Sequence, residues 1–121
     1  MDAVESAVVS PAINSLYISG NGEKPPVKID YIAVKKAAMV LRSINHKLRQ
    51  QIIKLLEEHQ KMTVTEIYVK LRLEQSVASQ HLAILRRAGI VRTLREGKYI
   101  YYSLNVHRIA EISGFIEQLV G

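Results

Sequence analysis

The sequence predicts a mainly α fold of five helices, with a small two-stranded β-hairpin between the fourth and the fifth. Three observations lead there. The stretch Glu74–Val91, EQSVASQHLAILRRAGIV, has helical periodicity and ends on a glycine. Two β-rich arms come next, around an acid–Gly pair. A final segment from Val106 onward carries apolar residues at helical spacing.

The first of these sorts into two faces. Ala78, Leu82 and Leu85 stand at i, i+4 and i+7, one side of a helix, and Val77, His81, Ile84 and Ala88 widen that side. Ser76, Ser79, Gln80, Ala83, Arg86 and Arg87 fall on the opposite arc. That arc has small hydrogen-bonding groups at its start, bases at its end, and neither an acid nor a long apolar group. It fits two descriptions equally: a solvated face that happens to be basic, or a face met closely by something polar and anionic. The major groove of DNA is a surface of the second kind.

The residues after this helix favour the second description. Gly89 supplies the left-handed stop. Ile90–Arg95, the pair Glu96-Gly97, and Lys98–Leu104 read as a hairpin. With Glu96 and Gly97 as the turn, Arg95 pairs with Lys98. Val91, Thr93, Ile100, Tyr102 and Leu104 then share one face; Arg92, Leu94, Tyr99 and Tyr101 share the other. Like charges directly opposed cost stability, so this tip also points to an anionic partner.

Upstream, Asp30 can cap a helix to about Ser43, with a stripe of Val34, Ala37, Ala38, Leu41 and Ile44. Asn45 can cap a second, from His46 to about His59, with Leu48, Ile52, Leu55 and Leu56 inside and Lys47, Arg49 and Lys54 outside. Thr63-Val64-Thr65-Glu66 is a capping box, so a third helix starts at Val64 and ends near Leu71. A turn through Arg72–Gln75 leads to the fourth. Short helix, turn, longer helix, basic-tipped hairpin is a winged helix-turn-helix. After the hairpin, Asn105 can cap a last helix to about Val120. Ile109, Ile112, Ile116 and Leu119 lie on one side of it, flanked by Phe115. Apolar stripes on the first and last helices suit a dimer seam. Residues 1–29 show no sustained period and are broken by Pro11, Gly20, Gly22, Pro25 and Pro26. They are expected to form a flexible or loosely ordered arm, although SLYIS at 15–19 could make a short strand. Residues 30–121 form the winged-helix domain.

Composition sets bounds. At 121 residues one domain is expected. The chain has no cysteine, which removes disulfides, thiolate metal sites and thiol redox sensing. Net charge is +6, and residues 1–29 hold two lysines against three acids, so the basic charge lies entirely in the folded part. This favours nucleic acid or another anionic surface. Apolar runs are too short for a membrane span and no secretory signal is evident, so a cytoplasmic protein is expected. The four histidines fall on separate elements or ends, and no Ser-His-acid set or phosphate-cradling Gly loop occurs, so no enzyme is expected. His81, at the edge of the apolar face, reads as a packed, hydrogen-bonded histidine.

Ser76-x-x-Ser79-x-His81-Leu82-x-x-Leu85-Arg86-x-Ala88-Gly89-Ile90-Val91, then Arg95-Glu96-Gly97-Lys98 and Tyr101-Tyr102-Ser103-Leu104, resemble the motif of ArsR/SmtB-type bacterial repressors over roughly 33–119. The resemblance implies a homodimeric, winged-helix repressor that reads double-stranded DNA with an inverted-repeat operator and pairs its first and last helices across the dimer. It also implies where a metal could sit, and there the chain departs. One family type uses cysteines near the third helix, which this chain lacks. Another uses Asp-x-His and His-x-x-Glu on the last helix. The corresponding residues here are Asn105, His107, Gln118 and Gly121, only one of which is a strong ligand. No metal or other cofactor is therefore expected, zinc should not regulate the protein, and the effector stays open.

The expected DNA contacts are Ser76, Ser79 and Gln80 at base edges and nearby phosphates, Arg86, Arg87, Arg95 and Lys98 on phosphate or, at the wing tip, in the minor groove, and Gln75, Arg92 and Tyr99 beside them. The expected dimer seam is Val34, Ala38, Leu41, Ile109, Ile112, Phe115, Ile116 and Leu119. The alternative is a winged-helix protein-interaction module, which would need an apolar or acidic recognition arc.

Overall fold

The computed structural model describes residues 14–20 and 25–121. The chain divides into two units, Met1–Val40 and Leu41–Gly121.

In the first unit, strand β1 (Ser15–Ile18) pairs antiparallel with β2 (Val27–Asp30). This corrects the expectation of a loose arm for these segments; residues 1–13 and 21–24 lie outside the described residues. Leu16 opposes Ile29 and Ile18 opposes Val27, so one face of the hairpin is wholly apolar and the other carries Ser15, Tyr17, Lys28 and Asp30. Gly20, Pro25 and Pro26, which break the sequence period, lie between the two strands. Helix α1 (Tyr31–Ile44) begins at the next residue after β2 and ends in the second unit. Asp30 caps it as expected: its Oδ1 accepts from the backbone N–H of Ile32 at 3.0 Å and of Ala33 at 3.2 Å.

The second unit holds helices α2 (Lys47–His59), α3 (Val64–Leu71), α4 (Gln75–Arg87) and α5 (Val106–Val120), with strands β3 (Met62–Thr63), β4 (Val91–Glu96) and β5 (Tyr99–Leu104). With α1 this makes five helices among the described residues, as expected. The wing has one more strand than expected: the order is β3-β5-β4, all antiparallel. Two residues are too few to show a period, so β3 has no sequence signal of its own.

The caps explain the helix starts. Thr63 and Glu66 form the reciprocal capping box at α3. Asn105 Oδ1 accepts from Arg108 N at the start of α5. At α2 the cap is His46, not Asn45, and its Nδ1 accepts from Leu48 N at 3.1 Å. The core joins Ile52 and Leu56 of α2, Ile67 of α3, Leu82 and Leu85 of α4, and Ile90 and Val91 leading into the wing, each at most 2% exposed. Burying one such side chain stabilises the fold by about 1.5–3 kcal/mol.

Two expectations fail in instructive ways. Arg49, expected on the outside of α2, is buried. Its Nε donates to Ser43 O at 2.6 Å and its Nη2 to Arg42 O at 3.2 Å, both at the C-terminal end of α1, where helical carbonyls lack partners. A helix C-terminus also favours a cation, so burial without a carboxylate is tolerable here. The wing turn, too, is Gly97-Lys98 rather than Glu96-Gly97: Glu96 opposes Tyr99 and Arg95 opposes Ile100. Gly97 has φ +62° while Lys98 does not have positive φ, which fits a type II′ turn with glycine first. The expected placement would have needed a left-handed glutamate. Arg95 and Lys98 are therefore not opposed, and no repulsion between them speaks for an anionic partner. The two faces of the hairpin survive, because the pairing moves by two residues and side chains alternate with period two.

Candidate nucleic-acid interface

Helix α4 presents the two faces read from its periodicity. Ala78, Leu82 and Leu85 are fully buried, while Gln75, Ser76, Ser79, Gln80, Arg86 and Arg87 are exposed and Ala83 is half-buried. The helix ends at Arg87, and Gly89 comes two residues later with φ +80°. Its first turn has no acid and its last turn has Arg86 and Arg87. Its outer arc therefore offers hydroxyls and amides at one end and two guanidiniums at the other.

The wing meets this arc. Ser79, Ala83, Arg86 and Arg87 of α4 and Tyr102 of β5 line an open groove of about 480 Å³. Tyr102 is a site residue that sequence reasoning misses. Its alternation partner Thr93 and the buried Val91 mark its face as core packing. The same alternation could have found it, since a residue on that face but nearer the tip must emerge beside α4. Arg95 and Ile100 stand on this side of the wing, Arg92 and Tyr99 on the other, and Lys98 at the turn between them. All of these are exposed. The structure thus gathers Ser79, Arg86 and Arg87 around the groove and separates Arg92 and Tyr99 from it by the thickness of the sheet. Arg95 folds toward the tip, its Nε donating to Gly97 O at 3.3 Å. Lys98 Nζ lies 5.3 Å from the Tyr99 ring centroid.

Behind the arc, α4 is tied to α2. Arg49 Nη1 lies 3.1 Å from His81 Nδ1. A guanidinium can only donate, so Nδ1 accepts and the neutral ring carries its proton on Nε2. Burial holds the His81 imidazole below the usual histidine range, helped by the nearby His46 and Arg49. His81 is thus packed and hydrogen-bonded, as its position suggests. The expectation that the histidines lie apart fails for one pair: the His46 and His81 rings are 4.8 Å apart. Both already use Nδ1 as an acceptor, and Arg49 places a cation beside them. Among the described residues no group of three or more His, Cys, Asp or Glu side chains comes together. His107 is well exposed and approaches Glu111 at 3.7 Å.

Of the expected seam residues, Ile112 is 7% exposed within the single chain, so most of its surface is already covered there. Val34, Phe115 and Leu119 are 52%, 47% and 63% exposed; Ala38, Leu41, Ile109 and Ile116 are half-buried. No helix among the described residues is long and apolar enough to cross a membrane.

Known proteins resemble the chain over this same architecture. Residues 46–93 match the family model described as "Bacterial regulatory protein, arsR family". The transcriptional repressor PagR of Bacillus anthracis is 35% identical over 85 residues, 70% of this chain and 85% of that protein. The transcriptional activator HlyU of Vibrio cholerae is 37% identical over 84 residues, 69% of this chain and 74% of that protein. The crystal structure of PagR superposes with a TM-score of 0.57 at 33% identity, covering 74% of this chain and 99% of the chain in that structure. The family model covers α2, α3 and α4, including the α4 side of the groove, and the chain belongs to the ArsR family of bacterial regulatory proteins, winged-helix DNA-binding regulators of transcription.

Proposed function

We propose that this regulator acts as a cytoplasmic homodimer that represses transcription by binding an inverted-repeat operator, without enzymatic activity and without a metal cofactor. The observation that carries the reading is the outer arc of α4, polar at one end, doubly cationic at the other, and continuous with the groove at Tyr102. Gln75, Ser76, Ser79 and Gln80 reach base edges, and Gln80 suits a bidentate contact to adenine. Arg86, Arg87, Arg95 and Lys98 take phosphates or, at the wing tip, the minor groove, with Arg92 and Tyr99 on the wing's far side. Two copies join through apolar residues that α1 and α5 leave exposed, among them Val34, Phe115 and Leu119. The segment 30–121 is the working domain. PagR is a repressor and HlyU an activator, so the direction of control is a separate question from the DNA contact.

Selection of duplexes from a random pool tests this. A two-fold dimer should recover an inverted repeat with half-sites about 10 bp apart, or a multiple of that. Recovery of single half-sites would remove the dimer, and recovery of no sequence would leave the scaffold as a protein-interaction module. Occupancy of a promoter-placed operator, read with a transcription assay, then separates repression from activation.

A further inference from the structure

From Gln75 to Leu104 the chain has five arginines and lysines and a single carboxylate, Glu96. That acid is the last residue of β4, beside the Gly97-Lys98 turn. A free carboxylate there would stand among the bases that meet phosphate. It is not free. Lys61 Nζ lies 2.7 Å from one Glu96 oxygen and 2.8 Å from the other.

Lys61 has to reach for this contact. It sits immediately before β3, and in the order β3-β5-β4 the acid is two strands away. The lysine crosses β5 and places its ammonium 4.8 Å from the Tyr101 ring centroid on the way. Strand alternation puts Glu96 on the face opposite the groove with Leu94, Tyr99 and Tyr101, and the contact fixes both carboxylate oxygens there. The residue that aims Lys61 is under strain. Gln60 has φ 71° and ψ −52°, and Lys61 N donates to His59 O at 2.8 Å, a γ-turn of the rare hand for a non-glycine residue. Backbone strain of this kind persists where the surroundings over-determine it and gathers at functional positions. An exposed ion pair contributes little to stability, so stability alone does not account for such a reach.

We propose that Lys61 is a positioning residue for DNA binding. It holds the Glu96 carboxylate back from the phosphates and pins the wing tip, so that the wing meets DNA as a uniformly cationic edge. This rests on the proposed contact between the wing tip and DNA.

The test is a double-mutant cycle with Lys61→Met, Glu96→Gln and both together. Lys98→Ala reports independently on whether the wing touches DNA, and Lys61→Arg serves as the conservative variant. The probes are the selected duplex and a random-sequence duplex of equal length, each titrated at several salt concentrations; circular dichroism confirms that each variant is folded. Lys61→Met should weaken both duplexes by about tenfold at low salt, comparable to losing one phosphate contact, and less at high salt. Glu96→Gln should leave affinity unchanged or slightly higher. The double variant should return to within about threefold of the starting protein, and Lys61→Arg should bind normally. If the double variant stays as weak as Lys61→Met, then Lys61 contacts phosphate itself and the proposal is overturned. If Lys98→Ala weakens binding and Lys61→Met does not, the wing contact stands and the role of Lys61 falls. If neither has an effect, the wing contact falls and takes this proposal with it.

Discussion

Replacing Arg49 with methionine should destabilise the protein far more than a change at an ordinary solvent-facing base. The stem of the side chain is largely preserved, so packing changes little. What disappears is the guanidinium that serves Ser43 O at 2.6 Å, Arg42 O at 3.2 Å and His81 Nδ1 at 3.1 Å. Hydrogen bonds to a charged group contribute about 1.5–3 kcal/mol each. Against this, the variant no longer desolvates a cation, which returns part of the loss. The net expectation is about 3 kcal/mol, or a fall in Tm of about 10–15 °C for a domain of this size. Arg49→Lys should recover less than half, because one ammonium cannot span three acceptors arranged for a planar fork. Urea unfolding at fixed protein concentration, with the m-value compared between variants, measures the difference. DNA affinity should fall as well, since His81 is on α4 and loses its anchor. If both variants unfolded within about 0.5 kcal/mol of the starting protein, the buried guanidinium would be dispensable and its three contacts without weight.

Four further outcomes are expected from the same geometry. His81 has a pKa lowered in the folded state, so below about pH 6.5 the unfolded chain takes up a proton that the folded chain resists, and stability should fall with falling pH. Calorimetry at pH 7.5 and 5.5 should show a lower Tm in acid, and His81→Asn should reduce the difference; an unchanged difference would clear His81. Gln80→Ala should relax base preference at one position of each half-site by about 1–3 kcal/mol in a competition assay, whereas a uniform loss over all sequences would assign Gln80 to phosphate. Leu119→Asp places a carboxylate on the exposed part of the proposed seam without disturbing the core. It should yield folded monomers by analytical ultracentrifugation with operator affinity lost, and a wild-type dimer would place the seam elsewhere. Gly97→Ala meets no atom within 4 Å, so its cost is backbone alone: about 1 kcal/mol of wing stability, seen as faster amide exchange in β4 and β5.

The helices are legible in the sequence because their signals are local. Thr63 and Glu66, Asp30 and Asn105 announce helix starts through contacts within three residues, and the spacing of Ala78, Leu82 and Leu85 is a property of one helix. The outer arc of α4 is legible for the same reason. What escapes depends on groups far apart in the chain. Arg49 looks like any basic residue on an amphipathic helix until the end of α1 arrives to accept its protons. Lys61 and Glu96 are separated by 35 residues, and the sequence carries no trace of their pairing. The hairpin register fails on a smaller point. A turn at Glu96-Gly97 puts glycine second, one at Gly97-Lys98 puts it first, and the choice depends on which residue adopts positive φ. The β1–β2 pairing is hidden because Gly20, Pro25 and Pro26 look like ends of structure rather than the bend between two strands.

The junction at Asp30 has a mechanical consequence. That one residue finishes a strand and opens a helix, and no linker separates the two. The first three helical donors are already engaged: Tyr31 N by Asn14 O at 2.7 Å, and Ile32 N and Ala33 N by the Asp30 carboxylate. A hinge needs backbone that can rotate without losing hydrogen bonds, and here there is none. The hairpin and the opening turns of α1 should therefore behave as a single rigid lever. A force or a ligand acting on the strands would carry the first turn of α1 with them rather than bend the joint, and a protease offered the folded protein should find no cut between Val27 and Ala33.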